Sequence, residues 1–334
     1  MLTRRTMLKG GTGLVAASLA LPLVGRRALA EKQLEIVMCA KQEGISWFDD
    51  MRVGVEQFGK DFGVNAYQIA PEKGDPAKQA QMVESLIAKR VDAILVVPND
   101  PKSMIPVLQE ARKAGITVIS HEAQSLAGIA HYDVEAFKNE NFGRLMFENL
   151  AKAMGGEGDF AGVVGALTME THMQWFNAGL EHVKKNYPKM KFVLAQPLED
   201  NNDEKTALDK VNEVLKKYPT LKGLVGCSVS GTSMSALAVE KLRRKDIKVV
   251  GLGLPSINGV YLDSGYEQEA QCWRPADAGY VSAHVAYKLL KGEAIEAGMD
   301  LKRPGYEKVT LENGVIYGDA TLVLTKENWK NYKF

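Results

Sequence analysis

The sequence is short of cysteine, of net charge and of long apolar runs. Its three cysteines, Cys39, Cys227 and Cys272, are an odd number, and no pair has metal-ligand spacing. Each lies in or at the end of a strand-like apolar run, so all three are expected as buried thiols rather than as a disulfide framework. Lysine plus arginine (42) nearly cancels aspartate plus glutamate (41). No long basic run follows residue 30, which argues against nucleic acid or an anionic membrane surface as partner. Also missing are the HExxH, GxSxG, GxxxxGKS/T and GxGxxG fingerprints. Five histidines, with Glu122 or Glu170 beside them, are what remains for acid–base chemistry. His131, His182 and His284 fall on helices or turns and read as structural or exposed, whereas His121 and His172 stand at strand ends. No enzymatic activity, cofactor or metal is expected.

What is present begins with an export signal. Thr3-Arg4-Arg5-Thr6-Met7-Leu8-Lys9 has the twin-arginine pattern, residues 13–24 are apolar, and Ala28-Leu29-Ala30 offers a small-x-small cleavage site. The apolar stretch is too short, and too rich in glycine and alanine, for a membrane anchor. Residues 1–30 are therefore a leader, and the mature protein is expected in the periplasm.

The remaining residues alternate strand and helix. Residues 34–39 form a short buried strand, a helix follows from about Asp49, and strands recur near 64–69, 93–98 and 116–120. Asp75 caps the helix that runs to Arg90, and Pro101 opens the next. A second series starts after Asp133, with strands at 159–164, 192–196, 224–227, 249–252 and 268–273 and helices between them. This pattern predicts an α/β fold of two Rossmann-like lobes with parallel sheets, joined by a three-segment hinge. The expected partition is residues 31–133 plus 274–300 for the first lobe and 134–273 plus 301–334 for the second. The tail is expected to hold two hairpin-like strands around Tyr317-Gly318-Asp319.

In open α/β sheets, ligands sit beyond the carboxyl ends of the strands. Residues at those ends are Lys41, Trp47 and Phe48, then Pro98 and Asn99, then His121 and Glu122. From the second half come Thr171, His172 and Gln174, then Ser228 and Ser230, then Pro255, then Trp273 and Arg274. Aromatics mixed with charged and amide groups suit a carbohydrate or polyol, whose C–H faces lie on rings while hydroxyls pair around the rim. Arg274 is open to two readings, a carboxylate anchor or an interdomain salt bridge.

The export leader, Lys41 with Trp47-Phe48 six residues on, and Val118-Ile119-Ser120-His121-Glu122 together resemble the periplasmic sugar-binding proteins of ABC importers, of the ribose-binding (type I, cluster B) kind. Residues 165–179, Gly251-Leu252-Gly253-Leu254-Pro255, Trp273 and the ending from Leu324 to Phe334 look closer to the autoinducer-2-binding and rhamnose-binding branch. The resemblance implies a monomeric solute-binding protein that closes on a small sugar or polyol and docks on permease subunits of the inner membrane. A periplasmic sensing module that presents its ligand to a receptor is the alternative. By position, Lys41 looks like the branch's ligand-contacting lysine, Trp47 and Phe48 like its stacking aromatics, and Glu122 like an aspartate that binds two hydroxyls. Thr171 and His172 replace an Asp-Gln pair of the autoinducer-binding members. Ser228 replaces an Asp, and Trp273 matches a site position. The departures at Glu122, Thr171 and His172 argue against autoinducer-2 itself, because a buried polyol would be left with unpaired hydroxyls.

Overall fold

The computed structural model describes residues 33–334; the expected leader, residues 1–30, lies outside them. Nine helices and fourteen strands alternate among the described residues. The first series is β1 (Glu35–Cys39), α1 (Ser46–Phe62), β2 (Asn65–Ile69), α2 (Pro76–Lys89), β3 (Ala93–Val96), α3 (Pro101–Lys113), β4 (Thr117–His121) and β5 (Tyr132–Glu135). The second is α4 (Asn139–Met154), β6 (Glu157–Val164), α5 (Glu170–Asn186), β7 (Lys189–Phe192), β8 (Leu198–Glu199) and α6 (Glu204–Lys217). It continues through β9 (Gly223–Gly226), α7 (Val229–Lys241), β10 (Lys248–Leu252), α8 (Pro255–Ser264) and β11 (Glu269–Cys272). The chain ends with α9 (Pro275–Leu290), β12 (Thr310–Glu312), β13 (Val315–Tyr317) and β14 (Leu322–Leu324).

Two sheets result, in the orders β12-β13-β5-β4-β3-β1-β2 and β14-β11-β10-β9-β6-β7, with β8 also on β6. All pairings are parallel except β12 with β13 and β14 with β11. The central strands are buried on both faces, Ala93–Val96 and Gly223–Gly226 throughout, as a sheet covered by helices on both sides requires. The expected two-lobed α/β fold is the one observed. Helix starts are set by short polar caps: Asp75 accepts from the Lys78 N–H at 3.0 Å, and Asp203 from that of Thr206 at 2.7 Å.

The chain crosses between sheets three times: from β5 to α4, from β11 to α9, and from β13 to β14. The tail divides differently from the expected partition, which gave all of 301–334 to the second lobe. Val315, Ile316 and Tyr317 pair with Asp133, Val134 and Glu135, so β12 and β13 extend the first sheet and only β14 joins the second. Burying Val315 and Ile316 against the open side of β5 satisfies both the apolar side chains and the strand's polar edge. The hairpin turns at Asn313 and Gly314, both at positive φ, and residues 317–319 carry the third crossing instead.

Three helices begin earlier than their apolar periodicity suggests. α1 starts at Ser46 rather than near Asp49, α5 at Glu170 rather than Met173, and α7 at Val229 rather than Thr232. Each extra turn carries residues that face the cleft between the lobes, so residue choice at these positions serves the site and masks the helical pattern. The strand expected over 192–196 is likewise displaced, into β7 before it and the two-residue β8 after it.

Candidate functional site

Behind the end of β1, buried Gln79 of α2 works as a staple. Its amide donates to the carbonyls of Ala40 at 2.9 Å and Val97 at 2.8 Å and accepts from the Asn99 N–H at 2.9 Å. The Asn99 amide then donates to the Lys41 carbonyl at 2.8 Å. With its backbone held on both sides, Lys41 extends a buried side chain to Glu122, and the two form an ion pair. Glu122 stands just past β4 with φ of 57°, a left-handed conformation costly for a residue with a Cβ. Burial, the largest single influence, pushes the Glu122 carboxyl up, but the Lys41 ammonium together with His121 and His172 holds the group below its ordinary value. Glu122 is therefore ionised in a water-poor setting.

The aromatic wall comes from the first turn of α1. Trp47 and Phe48 are buried, and Trp273 from the end of β11 meets Trp47 edge-to-face with ring centroids 4.4 Å apart. Opposite lies the second lobe. The Gly165 N–H donates to His172 Nδ1 at 3.0 Å, which leaves the ring proton on Nε2. Burial, with Lys41 nearby, pushes the His172 imidazole down to about 3, so it is a neutral donor. At the start of α7, Ser228 caps the helix by accepting from the Gly231 N–H at 3.0 Å.

These groups enclose a cavity of about 270 Å³ at the carboxyl ends of both sheets. Lys41, Trp47, Phe48, Glu122, His172 and Ser228, all expected from the sequence, line it. His121, Thr171, Gln174, Pro255, Trp273 and Arg274, also expected, do not. His121 turns its Nδ1 to the Val134 carbonyl at 2.5 Å and lies behind Glu122, with the ring held neutral chiefly by burial. Thr171 donates to the Glu122 carbonyl at 2.8 Å, one lobe to the other. Gln174 is spent on Asn139, Gln124 and Glu170. Pro255 opens α8, and Trp273 supports Trp47 from behind. Arg274 pairs within the first lobe rather than between lobes: its guanidinium lies 3.8 Å from Asp50 of α1, and it also lies over the Phe334 ring.

Sequence reasoning missed part of the lining. Gln42 and Ile45 precede α1, Leu252 and Ile257 give an apolar patch, and Asn202, Asp203 and Glu204 border the opening. The last three follow β8, a strand too short to be read from periodicity. The only signal was the Asp-Asn-Asn-Asp run at 200–203, a cluster of turn and cap formers. Ser230 also lines the cavity, and Cys39, Cys227 and Cys272 are buried free thiols, as expected. Among the described residues, no cluster has the makings of a metal site, and no helix is long and apolar enough to cross a membrane.

Two α/β lobes joined by three crossings, with a small cavity between the carboxyl ends of their sheets, define a bilobal binding protein. The sequence profile of the periplasmic binding protein domain matches residues 36–294, and the chain belongs to that family. It is 26% identical over 308 residues to the D-ribose/D-allose-binding protein of Pseudomonas aeruginosa, covering 86% of this chain and 92% of that one. It is 24% identical over 337 residues to a xylitol-binding protein of Mycolicibacterium smegmatis, covering 89% and 91%. Among solved structures, LsrB from Clostridium saccharobutylicum in complex with AI-2 superposes with a TM-score of 0.83 at 17% identity, covering 90% of this chain and all of that one. A solute-binding protein from Clostridium phytofermentas with bound L-rhamnose gives 0.82 at 19% identity, covering 90% and 98%. The family is one of sugar-binding proteins rather than enzymes, and its homologues serve ABC transporters.

Proposed function

We propose that this protein captures a small neutral sugar or polyol in the interlobe cavity and delivers it to an ABC importer in the inner membrane. The observation that carries the reading is the cavity's chemistry: two aromatic side chains beside a buried Lys41–Glu122 pair, with His172, Ser228 and Ser230 opposite. Rings accept the C–H faces of a sugar, and the polar groups offer paired donors and acceptors to its hydroxyls. Because Lys41 is already neutralised by Glu122, an anionic ligand finds no free cation there. A volume of about 270 Å³ lies just below the range for drug-sized ligands and suits a monosaccharide better than an oligosaccharide. The ligands of the relatives, among them D-ribose, D-allose and xylitol, are of this size and class. Export through the twin-arginine route, from residues 1–30, would place the protein where such a task is carried out.

The test is thermal denaturation with D-ribose, D-allose, D-xylose, D-arabinose, L-rhamnose and xylitol. A ligand at a hundred times its dissociation constant adds about 2.7 kcal/mol to stability, a shift that is easily resolved. One sugar or polyol that raises the midpoint is the expected outcome. A folded protein stabilised by none of them, but by an acidic or phosphorylated compound, would overturn the reading.

A further inference from the structure

Asp200, just past β8, is completely buried yet no cation is in hydrogen-bond contact with it. Its Oδ1 accepts from the Asn202 N–H at 2.8 Å, and its Oδ2 accepts from the hydroxyls of Ser228 at 2.5 Å and Ser230 at 2.8 Å. Residues 201 and 202 are both left-handed, at φ of 54°, so the backbone is bent to bring the Asn202 N–H onto this carboxylate. A carboxylate has only acceptors, and each serine hydroxyl has one proton. Both protons are therefore committed to Asp200, and the two serines, which line the cavity, can meet a ligand there only as acceptors. Ser228 keeps one lone pair, because it already accepts from the Gly231 N–H, and Ser230 keeps two.

We propose that Asp200 is a positioning residue that fixes the serine edge of the cavity as acceptor-only, so that the ligand group seated there must donate a hydrogen bond. Donors are supplied elsewhere in the lining, by Lys41 across the cleft and by the Nε2 of His172. A ligand hydroxyl that donates to the serine edge, with a neighbouring oxygen that accepts from Lys41 or His172, satisfies both kinds of group. A ring oxygen, carbonyl, ether or carboxylate facing Ser230 would place acceptor against acceptor. The discrimination is therefore between a hydroxyl and its non-donating isosteres at one position of the ligand. It deepens the sugar-binding reading above and rests on it.

The test uses the full-length protein and D-ribose, D-allose, D-xylose, D-arabinose, L-rhamnose and xylitol, followed by the complete set of monodeoxyfluoro analogues of the tightest binder. Fluorine keeps the size of a hydroxyl but donates nothing. Calorimetry on the wild type should show losses of about tenfold or more at the positions that donate, the cost of one unmade hydrogen bond. In Asp200→Asn, the Asn202 N–H holds the amide oxygen, so the amide nitrogen faces the two serines and donates to them. Their protons are released to the cavity. The parent ligand should then bind about tenfold more weakly. The fluorine penalty at the serine-facing position alone should largely vanish, while penalties at other positions persist. Ser230→Ala removes the acceptor by a different route and should erase the same penalty, should Asp200→Asn fail to fold. A wild-type protein that binds sugar but keeps an unchanged fluorine profile in both variants would overturn this inference alone. A wild type that binds none of the six would overturn the sugar reading and this inference with it.

Discussion

At the scale of single residues, the most consequential pair is Lys41 with Glu122. Two charges taken from water are tolerated because each satisfies the other and because Gln79 and Asn99 hold the lysine backbone in place. Removing one partner leaves an uncompensated buried charge, at a cost of about 3–5 kcal/mol. Lys41→Met and Glu122→Gln should each lower stability by that order, and the double variant should lose less than the sum. Urea unfolding of the four proteins measures this directly. Additive losses would mean that the two side chains do not share an ion pair in solution. The same variants should abolish binding of a sugar ligand, since both side chains line the cavity.

At the scale of elements, the first lobe depends on the crossing of α1 over α9. Gly54 lies where an added Cβ would come within 1.7 Å of the Ala276 carbonyl oxygen, and a Cβ on Gly279 within 2.7 Å of that of Met51. Both obstacles are backbone, so neither can swing aside, and the helices touch because neither residue has a side chain. Gly54→Ala must separate the pair and should cost about 1–3 kcal/mol or more in chemical denaturation. Because α1 carries Trp47 and Phe48 in its first turn and α9 follows directly on Trp273, sugar affinity should fall as well. Unchanged stability in this variant would rule out so close a crossing.

At the scale of the whole molecule, the contacts that span the cleft matter most. Glu170 in the first turn of α5 accepts from the Ser125 backbone N–H at 2.9 Å and from the Ser125 hydroxyl, while Thr171 donates to the Glu122 carbonyl. These bonds tie the second lobe to the first beside the cavity and favour the closed arrangement. Glu170→Ala removes two of them without touching the cavity lining. Ligand-free protein should then show a larger radius of gyration in X-ray scattering, and sugar affinity should drop about tenfold, the equivalent of roughly one charge-assisted hydrogen bond near the surface. An unchanged radius and affinity would show that closure does not depend on this contact.

The two-lobed α/β architecture was legible from the chain because buried parallel strands and amphipathic helices leave short-range periodic signatures, as at Ile94, Leu95 and Val96 or along Val83 and Leu86. Strand ends likewise pointed to Lys41, Glu122 and Ser228, since the carboxyl edge of such a sheet follows from strand direction alone. Only the tertiary structure decided which of those residues share a cavity. His121 and Glu122 are neighbours in sequence, yet one turns to the Val134 carbonyl and the other to Lys41. Only the fold, too, sent β12 and β13 to the first sheet and β14 to the second, and brought Asp200 beneath two serines some thirty residues away. Pairings between distant segments depend on which edges and faces remain open once the local elements have packed, and no local pattern in the chain records that.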